Sequence, residues 1–223
     1  MTLLAIFFIL RILPAQSLPT PKFNYLAVLR SLGQLWKSEP QVRGATLTQA
    51  MLFASFSVLW TVLPFWLAHR YDYGAGITGT LAALGLIGIL CAPLAGSFSD
   101  RQGPFRMVVF GVILMLLAWT VFWRWNSIVG MVVGILLLDA GEQCVLIANQ
   151  HTIYSLRPDA RNRLNTLFMC VMFIGGACGS LTATWLWETT HSWALISSAG
   201  GGLVIMGMLI AVRRKYSGPY SGT

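Results

Sequence analysis

Residues Ala45–Ala68 read ATLTQAMLFASFSVLWTVLPFWLA, a run of 24 positions without one charged side chain. As an α-helix it is about 36 Å long, more than the roughly 30 Å of hydrocarbon in a bilayer. In water such a helix would expose apolar surface all round, whereas in lipid it satisfies its backbone polar groups internally. The next run, Gly74–Ser99, is also uncharged, and Met107–Trp123, Ser127–Tyr154, Asn165–Trp187 and Ser192–Val212 follow it. Met107–Trp123 is the shortest, but even 17 residues reach about 25 Å, and Phe105 and Arg106 can carry it to the interface. Six membrane-spanning helices are expected.

The composition agrees. Only 10% of the 223 residues are charged and 56% are apolar, against roughly 25% charged in a soluble domain, and mean hydropathy is +0.69. That leaves too few charges to coat a soluble surface. It also excludes a disordered chain, and four cysteines exclude a disulfide scaffold. The net charge of +8 does not point to nucleic acid. The basic residues sit in short loops between apolar runs, not in one patch or along one helix. Cys91, Cys144, Cys170 and Cys178 lie within apolar runs and form no CxxC pair, so they read as small buried side chains. His69, His151 and His191 lack metal-ligand spacing. Neither metal nor cofactor is expected.

Basic residues report the orientation. Arg11, Lys22, Arg30, Lys37 and Arg43 precede the first span. Arg101 and Arg106 lie between the second and third, Arg157, Arg161 and Arg163 between the fourth and fifth, and Arg213, Arg214 and Lys215 follow the last. These alternate segments hold thirteen of the fifteen Lys and Arg; the opposite side has Arg70 and Arg124. The asymmetry predicts a multi-pass protein of the cell (inner or plasma) membrane with both ends of the six-helix unit cytosolic. Trp66, Tyr71, Tyr73, Trp123, Trp125, Trp187 and Trp193 flank the charge-poor loops, where an aromatic belt belongs.

Residues 1–13 are apolar but too short to span, and no basic residue precedes their apolar core. They read as the end of a truncated transmembrane helix rather than a signal peptide. Residues 14–44 read as a cytosolic linker: Pro14, Pro19 and Pro21 break the chain, then Lys22–Ser38 turns amphipathic, with Tyr25, Val28, Leu29, Leu32, Leu35 and Trp36 at helical spacing. A spacer lying in the interface is expected there. Residues 45–215 form the six-helix domain and 216–223 a cytosolic tail. Gly130-x-x-x-Gly134 and Gly175-x-x-x-Gly179 predict close helix contacts, as do Gly85, Gly88 and Gly96. Pro64 and Pro93 interrupt two spans.

Two clusters carry chemistry. The first is a tight turn, Gly96-Ser97-Phe98-Ser99-Asp100-Arg101-Gln102-Gly103-Pro104-Phe105-Arg106. Gly96 thins a helix end, Asp100 can accept from a neighbouring helix N-terminus, Gly103 permits positive φ, and Arg101 and Arg106 can bridge to carboxylates or phosphates. The second lies inside the membrane. Asp139 comes 15 residues after Arg124 and 18 before Arg157, near mid-depth. On a helix Asp139, Glu142, Gln143, Asn149 and Gln150 fall within an arc of about 120°. Such a stripe faces the bundle or a water-filled cavity, not lipid. No Lys or Arg lies within any span to neutralise the acids. Two carboxylates one turn apart in low dielectric hold a second charge at high cost, so the pair can load and release protons. The plain alternative is that these groups hydrogen-bond to neighbouring helices and lock the packing.

The turn resembles the signature loop of the major facilitator superfamily, which recurs in both halves of those twelve-helix transporters. Leu138-Asp139-Ala140-Gly141-Glu142-Gln143, Asn149-Gln150 and the stretch from Tyr154 to Asn165 are similar to the tenth and eleventh helices, with their joining loop, of the bacterial efflux branch. The resemblance covers essentially the whole chain. It implies an all-α membrane protein, a six-helix bundle of two inverted three-helix repeats equivalent to the C-terminal domain of that fold, preceded by a partial helix. It implies a gating role for Gly96, Asp100, Arg101, Gly103 and Arg106, although Pro104-Phe105 departs from the basic or polar residues common there.

The leading functional expectation is secondary active transport of small molecules, as proton-coupled efflux, by a chain that supplies half of the cavity. Its partners would be the lipid bilayer, a small-molecule substrate, protons, and an N-terminal six-helix half or a second copy of itself. Because Met1 falls within a helix, a remnant or split-gene product is expected. Two carboxylates lean toward cationic or neutral cargo. A non-transporting assembly or sensor subunit is the alternative. An intramembrane enzyme is disfavoured, because there is no GxSG motif and no two acids on different spans share mid-depth. Cysteines introduced into 100–106 and 157–163 are expected to react with an impermeant maleimide from the same side of sealed vesicles. Labelling of the two segments from opposite sides would refute the topology.

Overall fold

The computed structural model describes residues 25–72, 76, 79–81, 103–125, 127–156 and 160–216. Gly96, Asp100 and Arg101, the segment 1–13, Cys91, Pro93, Gly85, Gly88 and most of the expected span Gly74–Ser99 lie outside these residues. Among the described residues the structure is helical, without a strand. α1 (Tyr25–Ser38) opens in a first compact unit that ends at Ser31, and residues from Leu32 onward form the second unit, which holds everything below.

Among the described residues five long helices follow: α2 (Pro40–Tyr71), α3 (Pro104–Arg124), α4 (Ile128–Leu156), α5 (Arg161–Thr190) and α6 (Trp193–Tyr216). Each is long and apolar enough to cross a membrane. Their ends follow from local chemistry. Pro40 and Pro104 sit in first turns, where a missing N–H costs nothing. Gly103, at φ 86 before Pro104, takes the positive φ foreseen for it. α2 stops at Asp72 and α5 at His191, both left-handed, with backbone N–H groups returning to Ala68 (3.1 Å) and Trp187 (2.9 Å). α2 thus overruns the uncharged run at both ends, and α6 extends past Val212 to Tyr216.

α2 is the hub. It packs against α5, α6 and α4, while α3 pairs with α4 and α6. Leu52, Leu59, Leu63, Met115, Phe122, Ile135, Leu138 and Ile196 are fully buried in the main core. A second core at the other end joins Leu35, Val42, Ala45, Ile153, Leu164 and Phe168. The outward faces carry Phe110, Ile113 and Leu117 on α3, Phe173, Leu181 and Trp185 on α5, and Ile205 and Leu209 on α6, all exposed, as lipid-facing surface should be. Cys144 is buried, but Cys170 and Cys178 are exposed on α5, contrary to expectation: the apolar environment that their sequence positions imply lies outside the bundle. At the charge-poor end Trp66 and Trp193 pack with ring centroids 4.7 Å apart, and His69 stacks on His191 at 5.8 Å.

Because lipid tails are as apolar as the side chains, helices associate here through close fit. Gly175 and Gly179 lie directly on the backbone of Ala50 and Ala54 in α2, with no room for a Cβ. Gly130 and Gly134 press on Trp125 and Phe122. A crossing of α3 and α4 that the spacing does not announce pairs Gly111 with Gly141. A Cβ on Gly111 would lie 2.6 Å from the Gly141 carbonyl oxygen, and a Cβ on Gly141 would lie 2.7 Å from that of Gly111. Gly179→Leu is expected to part α5 from α2 and lower stability by about 1–3 kcal/mol, the usual cost of overpacking. Gly202→Leu, whose Cβ would meet nothing within 4 Å, is expected to leave the thermal unfolding midpoint in detergent unchanged. Equal midpoints for the two variants would contradict this packing.

Candidate functional site

Two helical turns separate Glu142 from Asn149, which places both on one face of α4, and that face meets α2 at Gln49. All three are buried, at 4%, 0% and 0% exposure respectively. Gln49 Nε2 donates to Glu142 Oε1 at 2.6 Å, and Asn149 Nδ2 donates to Gln49 Oε1 at 3.1 Å. Arg214, from the last turns of α6, donates from Nη1 to Asn149 Oδ1 at 3.0 Å. The result is one polar thread, Arg214–Asn149–Gln49–Glu142, across three helices.

Gly44 lets the arginine in. A Cβ there would lie 2.9 Å from Arg214 Cγ and Cδ, so the aliphatic stem runs over bare backbone while the guanidinium reaches inward. Asp139 stands one turn deeper than Glu142 and is 6% exposed. Both of its carboxylate oxygens, together with Glu142 Oε2, lack a hydrogen-bond partner among the described residues. The Trp60 indole N–H faces Asp139 without closing a hydrogen bond. From Asn149 to Asp139 the helix rises about 15 Å, half the hydrocarbon thickness. The polar groups therefore lead from the charge-rich end of the bundle to its middle, and the unsatisfied acceptors lie at the inner end.

Of the five residues singled out on this helix, Asp139, Glu142 and Asn149 share the buried face. Gln143 and Gln150 lie on its half-buried flank and do not join the thread. In the turn, Gly103 precedes α3 and Arg106 is exposed in its first turn. Gln49 and Arg214 are the participants that the sequence reading passed over. Gln49 had one signal, as the sole amide in an otherwise uncharged apolar run. Arg214 had none, since three basic residues after a span read as an ordinary tail. Among the described residues no group of three or more His, Cys, Asp or Glu could hold a metal ion.

Other polar contacts are structural clasps. Trp119 Nε1 donates to Ser55 Oγ (2.7 Å), which donates to the Gly200 carbonyl (2.9 Å), joining α3, α2 and α6. Thr61 donates to Ser180 at 2.9 Å between α2 and α5.

Comparison with known proteins fits this architecture. The model of the family described as Major Facilitator Superfamily matches residues 45–221. The Escherichia coli O157:H7 protein named "Uncharacterized transporter YgaY" is 36% identical over 189 residues, covering 84% of this chain and 48% of that protein. "Probable transporter SCO4007" of Streptomyces coelicolor is 28% identical over 195 residues, 84% of this chain and 44% of its own length. "Uncharacterized MFS-type transporter YceJ" of Bacillus subtilis is 23% identical over 198 residues, 88% and 49% respectively. This chain thus spans about half the length of the curated relatives it matches. Helices of membrane-spanning length and a family match that runs from the first full span into the tail lead to one assignment: the chain belongs to the Major Facilitator Superfamily.

Proposed function

We propose that the chain forms the C-terminal half of a secondary transporter that couples efflux of a small molecule to protons, in a cell membrane with both ends of the helical unit cytosolic. The observation that carries this reading is Asp139, a carboxyl group buried at mid-depth with no hydrogen-bond partner among the described residues. An unpaired charge there is costly, and a proton or a cationic cargo relieves it. Glu142, with one oxygen held by Gln49 and the other unpartnered, is the second member of the exchanging pair. Gln143 and Gln150, on the less buried flank, are placed to touch cargo, with Asn149 behind them.

Alternating access needs a second body to rock against. The partner in this proposal is an N-terminal six-helix half, supplied in trans or as part of a longer polypeptide, and the turn containing Gly96, Asp100, Arg101, Gly103 and Arg106 gates the motion. The Arg214–Asn149–Gln49–Glu142 thread ties α6, α4 and α2 together, so that this half moves as one body. The reading assigns the chain no catalytic role.

The test is transport in proteoliposomes that contain this chain together with the N-terminal half of the Escherichia coli relative, with tetraphenylphosphonium as cargo and an imposed pH gradient. Movement against the cation gradient is expected only with both halves present. Asp139→Asn is expected to reduce gradient-driven movement by about tenfold or more, as loss of a proton-exchanging group requires, while the thermal midpoint holds. Full gradient-driven transport by both Asp139→Asn and Glu142→Gln would refute the coupling role.

A further inference from the structure

We propose that the groove between α5 and α6 is a seat for one acyl chain of an anionic phospholipid, whose phosphate is held at Arg213. The site is separate from the polar thread and does not depend on the transport reading.

α5 and α6 both lie on α2 but touch each other little, which leaves a furrow of about 610 Å³. Its floor includes Ala50 and Ala54 of α2, and its walls include Ile174 and Cys178 of α5 and Ala199 and Met206 of α6. The hydroxyl of Thr182, which also lines the furrow, already donates to the Cys178 carbonyl at 2.8 Å. The lining therefore asks little of an occupant except apolar surface, and its volume falls in the range of ordinary ligand sites.

Depth and charge select the occupant. Met206 also lines a smaller crevice of about 190 Å³ together with Leu209, Ile210 and Arg213, all on α6, so this helix carries a second depression from the furrow's edge toward its charge-rich end. From Ala199 to Arg213 the helix rises about 21 Å, one leaflet of hydrocarbon plus the level of the headgroups. At that level Arg213 is exposed, and so are Arg161 and Arg163 in the first turn of α5. The only acid on α5 or α6 is Glu188, at the opposite end of its helix. Glu39, just ahead of α2, is the acid that the floor helix brings to this end. An apolar furrow one leaflet deep beneath a cationic rim fits a lipid with a negative headgroup better than it fits a neutral one or an apolar helix of another protein.

The experiment uses the full chain in nanodiscs of phosphatidylcholine with a minority of phosphatidylglycerol, each lipid in turn carrying a photoreactive diazirine in its acyl chain. Adducts located by mass spectrometry are expected to concentrate on 171–182 and 199–206, with phosphatidylglycerol favoured by about threefold or more. Arg213→Gln, or Arg161→Gln with Arg163→Gln, is expected to remove the headgroup preference. Cys178→Phe, at an exposed groove position, is expected to remove the groove adducts at an unchanged thermal midpoint. Three results would overturn the proposal: adducts spread equally over the outward face of α3 at Phe110, Ile113 and Leu117; no difference between headgroups; or adducts unaffected by Cys178→Phe.

Discussion

Burying a carboxylic acid among membrane helices is costly unless a hydrogen bond offsets it, and for Glu142 that bond comes from Gln49. Their hydrogen bond, 2.6 Å long and wholly buried, fixes more than two side chains. Gln49 has a donor to give and an acceptor to fill, so Asn149 follows, and Asn149 in turn accepts from Arg214. Each member leaves the next one unsatisfied if it is removed, and the cost of an orphaned polar group is higher in a low-dielectric interior than in water. The thread therefore dictates which face of α4 turns to α2, and it draws the end of α6 over Gly44.

Close backbone contacts make this register possible. Gly175 and Gly179 bring α5 onto Ala50 and Ala54, on the stretch of α2 that follows Gln49, and Gly111 and Gly141 seat α4 on α3 just ahead of Glu142. Small residues thus set how near the helices come, and the polar side chains set how they are rotated. The same economy leaves the inner end of the seam unfinished. Asp139 and the second oxygen of Glu142 close no hydrogen bond among the described residues, so their burial is left uncompensated.

How far the sequence could be read follows from the range of each signal. Spans are legible because length and absence of charge act locally: every described spanning helix contains or closely tracks one of the apolar runs. Their ends are less so. α2 begins at Pro40 and α6 continues to Tyr216, because long basic side chains near a helix end can turn aside and let the helix continue. Burial of Asp139 and Glu142 is legible from helical spacing, since acids in a span turn inward. Their partners are not. Gln49 is 93 positions from Glu142, and Arg214 is 65 from Asn149, distances over which no periodicity speaks. A 120° stripe was also too coarse to separate the face shared by Glu142 and Asn149 from the flank of Gln143 and Gln150.

The measurement that bears most directly on this account is a double-mutant cycle on Gln49 and Glu142, read as thermal and denaturant stability of the purified chain in one detergent. Gln49→Leu and Glu142→Leu should each destabilise, and the double variant should be more stable than the sum of the two losses predicts, with a coupling of about 1–3 kcal/mol. Strict additivity of the two substitutions would mean that the bond is not formed in the folded protein, and the thread built on it would fall.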